Sequence, residues 1–505
     1  MVEAAPEAGS GLRTRVVRGA TLAALGYLGS QVISLLTFIV LARLAPPAVF
    51  GSYAAAAILL GASLFLTEAG MQAAVVQSAD HVQEAASTAF VANMVGALGL
   101  AALAAALGPV IGLFFHSGQI SRAAAVMAGT ILINAAAIVP GALLRRRVSF
   151  AFVMVEPIAS LAYAGAAIAA LAHGMGLWGL VIATYATACA RTAAVVALAR
   201  WRPSPGLVSW KTWRSLSAYG RPVLISSLLR ESGSVGGTAI VGRILGTIDL
   251  GLFRSAQRFV QQANLAIIYG SGYALLPAFA RIRHDELRLQ RAILRSLRTL
   301  TLIVFPLSLV FIPLGRPLAV VLLGERWRGA GPIMMAMAGV GIALAFDSVT
   351  AEAFKATGRT RLLPRLHGLL PVAPVPFMLV LYPLGATGMG LALSLGMGTV
   401  AILAVKALGR LASLPIRTIV AQTIPASISA LLMLGVVFAL DRFVVHASEG
   451  GGLVGLARLG LDFLAAAVIY VAALSLLFRR SLLELIEIAR LLVTRLDRRT
   501  PVVTG

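Results

Sequence analysis

The sequence has a single cysteine, Cys189, which excludes a disulfide framework and any cysteine-rich metal site. It is also poor in charge: 12% of its 505 residues are charged, about half the share found in a soluble globular protein. Acids are the scarcest class, with 19 Asp and Glu against 42 Lys and Arg. Catalytic signatures are missing. There is no H-E-x-x-H, Walker lysine loop, Cys-x-x-Cys or G-x-S-x-G, and no polar gap is long enough to hold a soluble catalytic domain. These absences exclude an ordinary cytosolic enzyme and argue against an enzyme of any kind, or one that uses ATP directly. No cofactor is expected.

What fills the chain is apolar: 59% of residues are hydrophobic and the mean hydropathy is +0.92. The excess is spread along the whole length, so it predicts an all-α polytopic membrane protein. About 20 apolar residues cross a bilayer. Fourteen such runs fall near 20–44, 52–76, 88–112, 122–144, 150–172, 177–199, 218–241, 250–277, 297–315, 330–354, 362–382, 386–408, 418–441 and 454–478. This divides the chain into an arm at 1–19, a six-helix bundle at 20–200, a linker at 201–217, a second six-helix bundle at 218–409, two additional helices at 410–478 and a tail at 479–505. The first run is too long for a signal-peptide core and is read as a span. The tail alternates Leu and Ile with Arg and Glu at helical spacing, which suits either an interfacial amphipathic helix or a solvated one.

The net charge of +23 would suggest a nucleic-acid partner in a soluble protein. Here it sorts by topology. With both termini cytoplasmic, 30 of the 42 cations gather on the cytoplasmic side in seven clusters, the densest being Arg281 to Arg298 and Arg479 to Arg499. Eight fall on the opposite side. This is the bias that orients membrane proteins, so no nucleic acid is needed. One cytoplasmic loop departs from the pattern: residues 77–87 contain Asp80, His81 and Glu84 but no Lys or Arg.

The segment Val40-Leu-Ala-Arg43-Leu-Ala-Pro-Pro-Ala-Val-Phe50-Gly51-Ser-Tyr53 has an echo 200 residues later, Ile240-Val-Gly-Arg243-Ile-Leu-Gly-Thr-Ile-Asp-Leu250-Gly251-Leu-Phe253. The shared pattern is R-[LI]-x5-[FL]-G-x-[YF], between the first two spans and again between the seventh and eighth. A weaker echo links Gly176-Leu-Trp-Gly179 with Thr387-Gly-Met-Gly390. Two six-span halves in the same topology are a common transporter plan, with substrate held between the halves.

Four cations remain inside spans: Arg191, Arg230, Arg254 and Arg258. A charge at mid-membrane costs roughly 2.5–3.5 kcal/mol, so each marks a candidate site. The eighth span carries Arg254, Gln257, Arg258, Gln261 and Asn264 on one helical face, a stripe unsuited to lipid. Snorkelling of Arg254 to the surface is the simpler alternative. The seventh span sets Ser227, Arg230 and Ser234 on one face, with Glu231 adjacent, so an Arg230–Glu231 pair is also open. The corresponding first span has Ser30, Gln31 and Ser34, polar but uncharged. Intramembrane acids are Glu68, Glu156, Glu231 and Asp347, each able to pair with an Arg or to take a coupling proton or sodium ion. His173 and His367 are read as interfacial.

These features, with Leu66-Thr-Glu68-Ala-Gly70-Met and Phe354-Lys-Ala356-Thr-Gly358-Arg359, resemble the polysaccharide and O-antigen (Wzx-type) flippases of the MATE/MOP exporter superfamily over roughly residues 13–478. The resemblance implies a bacterial plasma-membrane transporter that moves polyprenyl-diphosphate-linked oligosaccharide between leaflets through a cationic cavity. Arg230, Arg254 and Arg258 would then bind the diphosphate, with Arg191 a further candidate; Gln257, Gln261 and Asn264 would meet the sugars, and Ser30 and Ser34 would belong to the same substrate-binding cavity. Membrane lipids are expected partners, with a polysaccharide polymerase and glycosyltransferases as further ones. Relatives with other cargo remain open: lipid II flippases and MATE-type small-molecule exporters. The latter rely on an acid in the first span, which this chain lacks. A non-transporting scaffold of a synthesis complex is a further alternative, disfavoured by the polar stripe.

Overall fold

A computed structural model describes residues 26, 29–61, 63, 82–146, 153–359, 362–450 and 452–487, with the side chains of 146, 218–231, 234, 265–266, 269–270 and 272–274 left aside. Among the described residues the secondary structure is helical, without strands. Ten helices are long and apolar enough to cross a membrane, and two shorter apolar ones, Gly29–Leu44 (α1) and Phe311–Leu323, accompany them. The expectation of an all-α polytopic protein holds, while the count of fourteen spans is not reached among the described residues.

The chain forms two compact units, Met1–Arg254 and Ser255–Gly505. In the first, α1 is followed by α2 (Pro47–Ala56), α3 (Val82–Phe114), α4 (Gly118–Met127), α5 (Gly129–Arg146), α6 (Val155–Ala172) and α7 (Leu177–Ala199). Its packing uses small residues, which let apolar helices approach closely where no water drives them together. One core joins Leu41, Ala45, Ala167, Leu171, Leu180 and Ala183. A second joins Ala86, Ala89, Val139, Ala142 and Leu143 with Leu216 of the linker.

The described part of the cation-free segment 77–87 is the start of α3, and it has a structural use. Gln83 accepts from the Trp201 indole at 2.7 Å and donates to the Arg202 carbonyl at 3.1 Å. Ser87 and Thr88 hydroxyls accept the backbone N–H groups of Ser204 and Ser209, and Thr212 donates to Glu84. The start of α3 is thus a docking strip for the linker.

The seventh and eighth spans differ most from expectation. They form one helical run, α8 (Trp210–Ile282), broken only at Gly246 with φ 86° and ψ −179°. That backbone region is open essentially to glycine alone. The loop expected at 246–250 is therefore a one-residue kink from which the helix resumes at once.

The second unit continues with α9 (Glu286–Leu309), α10 (Phe311–Leu318), α11 (Ala330–Ala336), α12 (Ala338–Ala356), α13 (Pro374–Leu381), α14 (Gly385–Leu411), α15 (Ile424–Leu440) and α16 (Gly452–Leu477). Helix α9 starts eleven residues before the span expected at 297. Asp285 caps it, accepting from the Arg288 N–H at 3.0 Å. Leu289, Ile293, Leu297 and Leu300 then bury one face against Val349, Ala353 and Leu408. The eleventh span is interrupted: a five-residue helix, Leu363–His367, gives way to turns around Pro371, and the longer helix starts at Pro374. The described part of the tail is helical and tied to α9. Arg298 bonds Ser481 at 2.8 Å and Glu484 at 3.3 Å, and Arg295 pairs with Glu487 at 3.7 Å.

Candidate functional site

The two echo segments meet within the first unit. A side chain added at Gly51 would overlap the Thr247 carbonyl and come within 2.9 Å of the Gly251 nitrogen. One added at Gly251 would overlap the Pro47 carbonyl and lie 3.1 Å from the Gly51 nitrogen. The contact is reciprocal: 47 and 51 face 247 and 251, the same positions 200 residues apart. The glycine shared by both copies is thus the crossing point of two helices at backbone contact. Around it, the Arg243 guanidinium lies 5.9 Å from the Phe114 ring centroid, and the Tyr53 hydroxyl bonds Thr184 at 2.9 Å. Leu250 and Phe253 of the second copy are fully buried.

Immediately after this crossing, α8 carries the polar stripe. Arg254, Gln257, Arg258 and Gln261 are all half-buried, while Ser255, Ala256, Phe259 and Val260 between them are buried. Arg254, Gln257 and Arg258 each have interaction partners. The stripe is therefore a distinct face, as its spacing predicts. Asn264 departs from it. It is fully buried, donates to the Val260 carbonyl at 2.8 Å and accepts from the Ser308 hydroxyl at 3.1 Å. A side chain on Gly341 would strike it. In this structure Asn264 is a packing residue joining α8, α9 and α12, not one presented to sugar.

The hairpin of α6 and α7 brings Arg191 and Glu156 together in an ion pair at 2.9 Å. Of the two roles foreseen for Glu156, ion coupling and charge pairing, the geometry gives pairing. The Arg191 Nε is buried and has no hydrogen-bond partner. In the second unit Asp347 lies 3.5 Å from His367, so this histidine faces an intramembrane acid rather than only an interface. Glu352 is bonded to Lys355 at 2.8 Å. Ser30 and Ser34 are half-buried on α1, and both have partners. Arg230 and Glu231 lie on α8 with side chains outside the described set, as does Ser234; Glu68 is outside the described residues altogether. No cluster of three or more metal-ligating side chains occurs among the described residues.

One residue of chemical interest was legible but not singled out. Asp462 is the lone acid of α16, and the cost of intramembrane charge marks it as strongly as Glu156 or Asp347.

The fold is shared with known transporters. The lipid II flippase MurJ, in an inward closed conformation, superposes with a TM-score of 0.74 at 13% identity, over 91% of this chain and 99% of that one. An inward-facing multidrug resistance MATE family transporter of the MOP superfamily gives 0.62 at 18% identity, over 76% of this chain and 95% of that one. In sequence, the succinoglycan biosynthesis transport protein ExoT of Rhizobium meliloti (strain 1021) is 26% identical over 325 residues, 63% of this chain and 65% of that protein, just under two thirds of its length. The fold is shared with these solved transporters, and the protein is a multi-pass membrane protein. The family profile for polysaccharide biosynthesis proteins matches residues 40–332, more than half of the sequence, and the chain belongs to that family.

Proposed function

We propose that this protein is a flippase: a secondary transporter that carries polyprenyl-diphosphate-linked oligosaccharide from the inner to the outer leaflet of the bacterial plasma membrane by alternating access. Its product would feed exopolysaccharide, O-antigen or capsule assembly. The observation that carries the reading is the half-buried stripe Arg254, Gln257, Arg258 and Gln261, which alternates on α8 with the buried Ser255, Ala256, Phe259 and Val260. A diphosphate is held best by guanidinium groups, which make paired, charge-assisted bonds and never lose their charge. Arg254, Arg258 and Arg230 take the diphosphate, with Arg191 as a further cation partly neutralised by Glu156. Gln257, Gln261, Ser30 and Ser34 meet sugar hydroxyls, and the lipid tail stays in the bilayer.

Coupling to a proton or sodium gradient would use Asp347, whose neighbour His367 is itself titratable, or Glu68 or Glu231. The cation bias supports cytoplasmic termini, on the side where glycosyltransferases would deliver the substrate; a polymerase would act on the opposite side.

The test is export of surface polysaccharide in a flippase-deficient host. Replacing Arg230, Arg254 and Arg258 together with Gln should lower export to below about a tenth, because each lost charge-assisted bond is worth about 1.5–3 kcal/mol. Normal export by a triple variant that is inserted at wild-type level would overturn the assignment.

A further inference from the structure

The last hairpin of the chain contains an acid with no visible compensation. Asp462 is fully buried in α16, and neither of its carboxyl oxygens has a hydrogen-bond partner. Other described acids of the second unit are engaged with cations: Asp285 with Arg288, Glu325 with Arg328, Glu352 with Lys355, Glu484 with Arg298 and Glu487 with Arg295, while Asp347 lies beside His367. No such partner reaches Asp462. Helix α15, its main neighbour, has no ionisable residue. Beyond α15 the turn supplies Asp441, exposed Arg442, His446 and exposed Glu449, and α10 supplies Arg316, also exposed. On its own helix, Arg458 is one turn away, but its Nη1 donates to the His446 carbonyl at 3.2 Å.

Burial is the first influence on Asp462, and a second acid, Asp441 at the turn of the same hairpin, adds to it. Asp441 is held in place: its Oδ1 accepts from the Ala447 N–H at 2.9 Å. The hairpin is also closed above the pair. Gly450 and Gly455 are in backbone contact, with no room for a side chain at either position.

Two carboxylates cannot both stay ionised in such a place. Each would lack a counter-ion in a low-dielectric setting, and each would repel the other. One proton resolves this. It turns an Asp462 oxygen into a donor, and Asp441 Oδ2 is the acceptor whose bond would satisfy it. The balance is simple: one proton enters from water, and the pair carries one negative charge instead of two.

We propose that Asp462 and Asp441 form a proton-binding site, a carboxyl pair that holds one proton within the two helices that follow the repeated bundles. The site lies outside the candidate diphosphate-binding residues and stands whether or not the flippase reading does. It gives the hairpin a charge that changes with pH.

The test uses the purified full-length chain in lipid nanodiscs without sodium. Infrared spectroscopy of wild type at neutral pH should show the C=O stretch of a protonated carboxyl, and the Asp462→Asn protein should lack it. The stability contribution follows the same sign. An acid held protonated in the folded state loses stability as the pH rises above the value at which the unfolded chain ionises. Wild-type Tm should therefore fall between about pH 5 and pH 8 by roughly 2 °C or more, and Asp462→Asn, a neutral isostere, should remove that fall. Absence of the protonated band in wild type overturns the proposal by itself, so a poorly folding variant does not leave it undecided. Equal pH dependence in wild type and Asp462→Asn overturns it as well. So does a rise in wild-type Tm with sodium chloride that Asp462→Asn abolishes, which would make the pair a cation site. The Asp441→Asn protein should keep the Asp462 band but shift it, since the acceptor changes from carboxylate to amide.

Discussion

The two copies of the R-[LI]-x5-[FL]-G-x-[YF] segment reach the same crossing by different means. In the first copy, Pro46 and Pro47 end one helix and start the next, with Pro46 extended at φ −74° and ψ 162°. In the second, a single glycine at φ 86° joins one helix to the next across a one-residue kink. Proline presets a corner and glycine permits a kink, yet both routes deliver Gly51 and Gly251 to reciprocal backbone contact. The flanks have diverged further. Before the first copy come Ser30, Gln31 and Ser34, neutral on α1; after the second come Arg254 and Arg258 on α8. The crossing is the shared part and the charge is the specialised part.

That comparison can be broken most severely at the glycines. Gly51→Val or Gly251→Val places methyl groups inside the opposing backbone, and neither carbonyl can move away cheaply. Folded yield in size-exclusion chromatography should drop to a small fraction of wild type, and polysaccharide export with it. Equal yields for both variants and wild type would show that the contact is dispensable. A smaller effect should separate the two corners. Gly246→Ala forces a side chain into a glycine-only region at a cost of about 1–3 kcal/mol. The same substitution at Pro46 breaks no such rule and should leave Tm nearly unchanged. The finest distinction is at the aromatic position. Tyr53→Phe loses one bond to Thr184, about 0.6 kcal/mol inside a membrane bundle. Phe253→Tyr would bury a hydroxyl at a residue only 2% exposed, so its thermal shift should exceed that of Tyr53→Phe.

Much of this architecture was legible because apolar runs of span length announce themselves. The errors have local causes. The start of α9 was hidden because Arg288, Arg291 and Arg295 dilute the hydropathy of a segment whose buried stripe, Leu289, Ile293 and Leu297, is plain once the helix is drawn. The kink at Gly246 was taken for a loop because glycine beside Asp249 looks like a turn; only the neighbouring helix makes continuation worthwhile. The polar stripe was legible as a period, but Asn264 could not be told from its companions. Its partner Ser308 is 44 residues away, and no spacing rule connects them. The pairing of Arg191 with Glu156, 35 residues apart, follows from the hairpin of α6 and α7 and was open to anticipation only as one alternative among several.

The linker's attachment to α3 also bears on where the chain can be cut. Residues 201–212 lie in one of the two longest stretches between apolar runs, a usual choice for a protease site, a fluorescent-protein insertion or a split into two coexpressed halves. Yet six of its groups are in use by Gln83, Glu84, Ser87 and Thr88, and Leu216 is part of the core beneath. The linker thus belongs to the first unit as a strap, and a half-protein ending at residue 200 would lose the partners of its own α3. The seam for engineering lies beyond Leu216, at the cost of entering a helix.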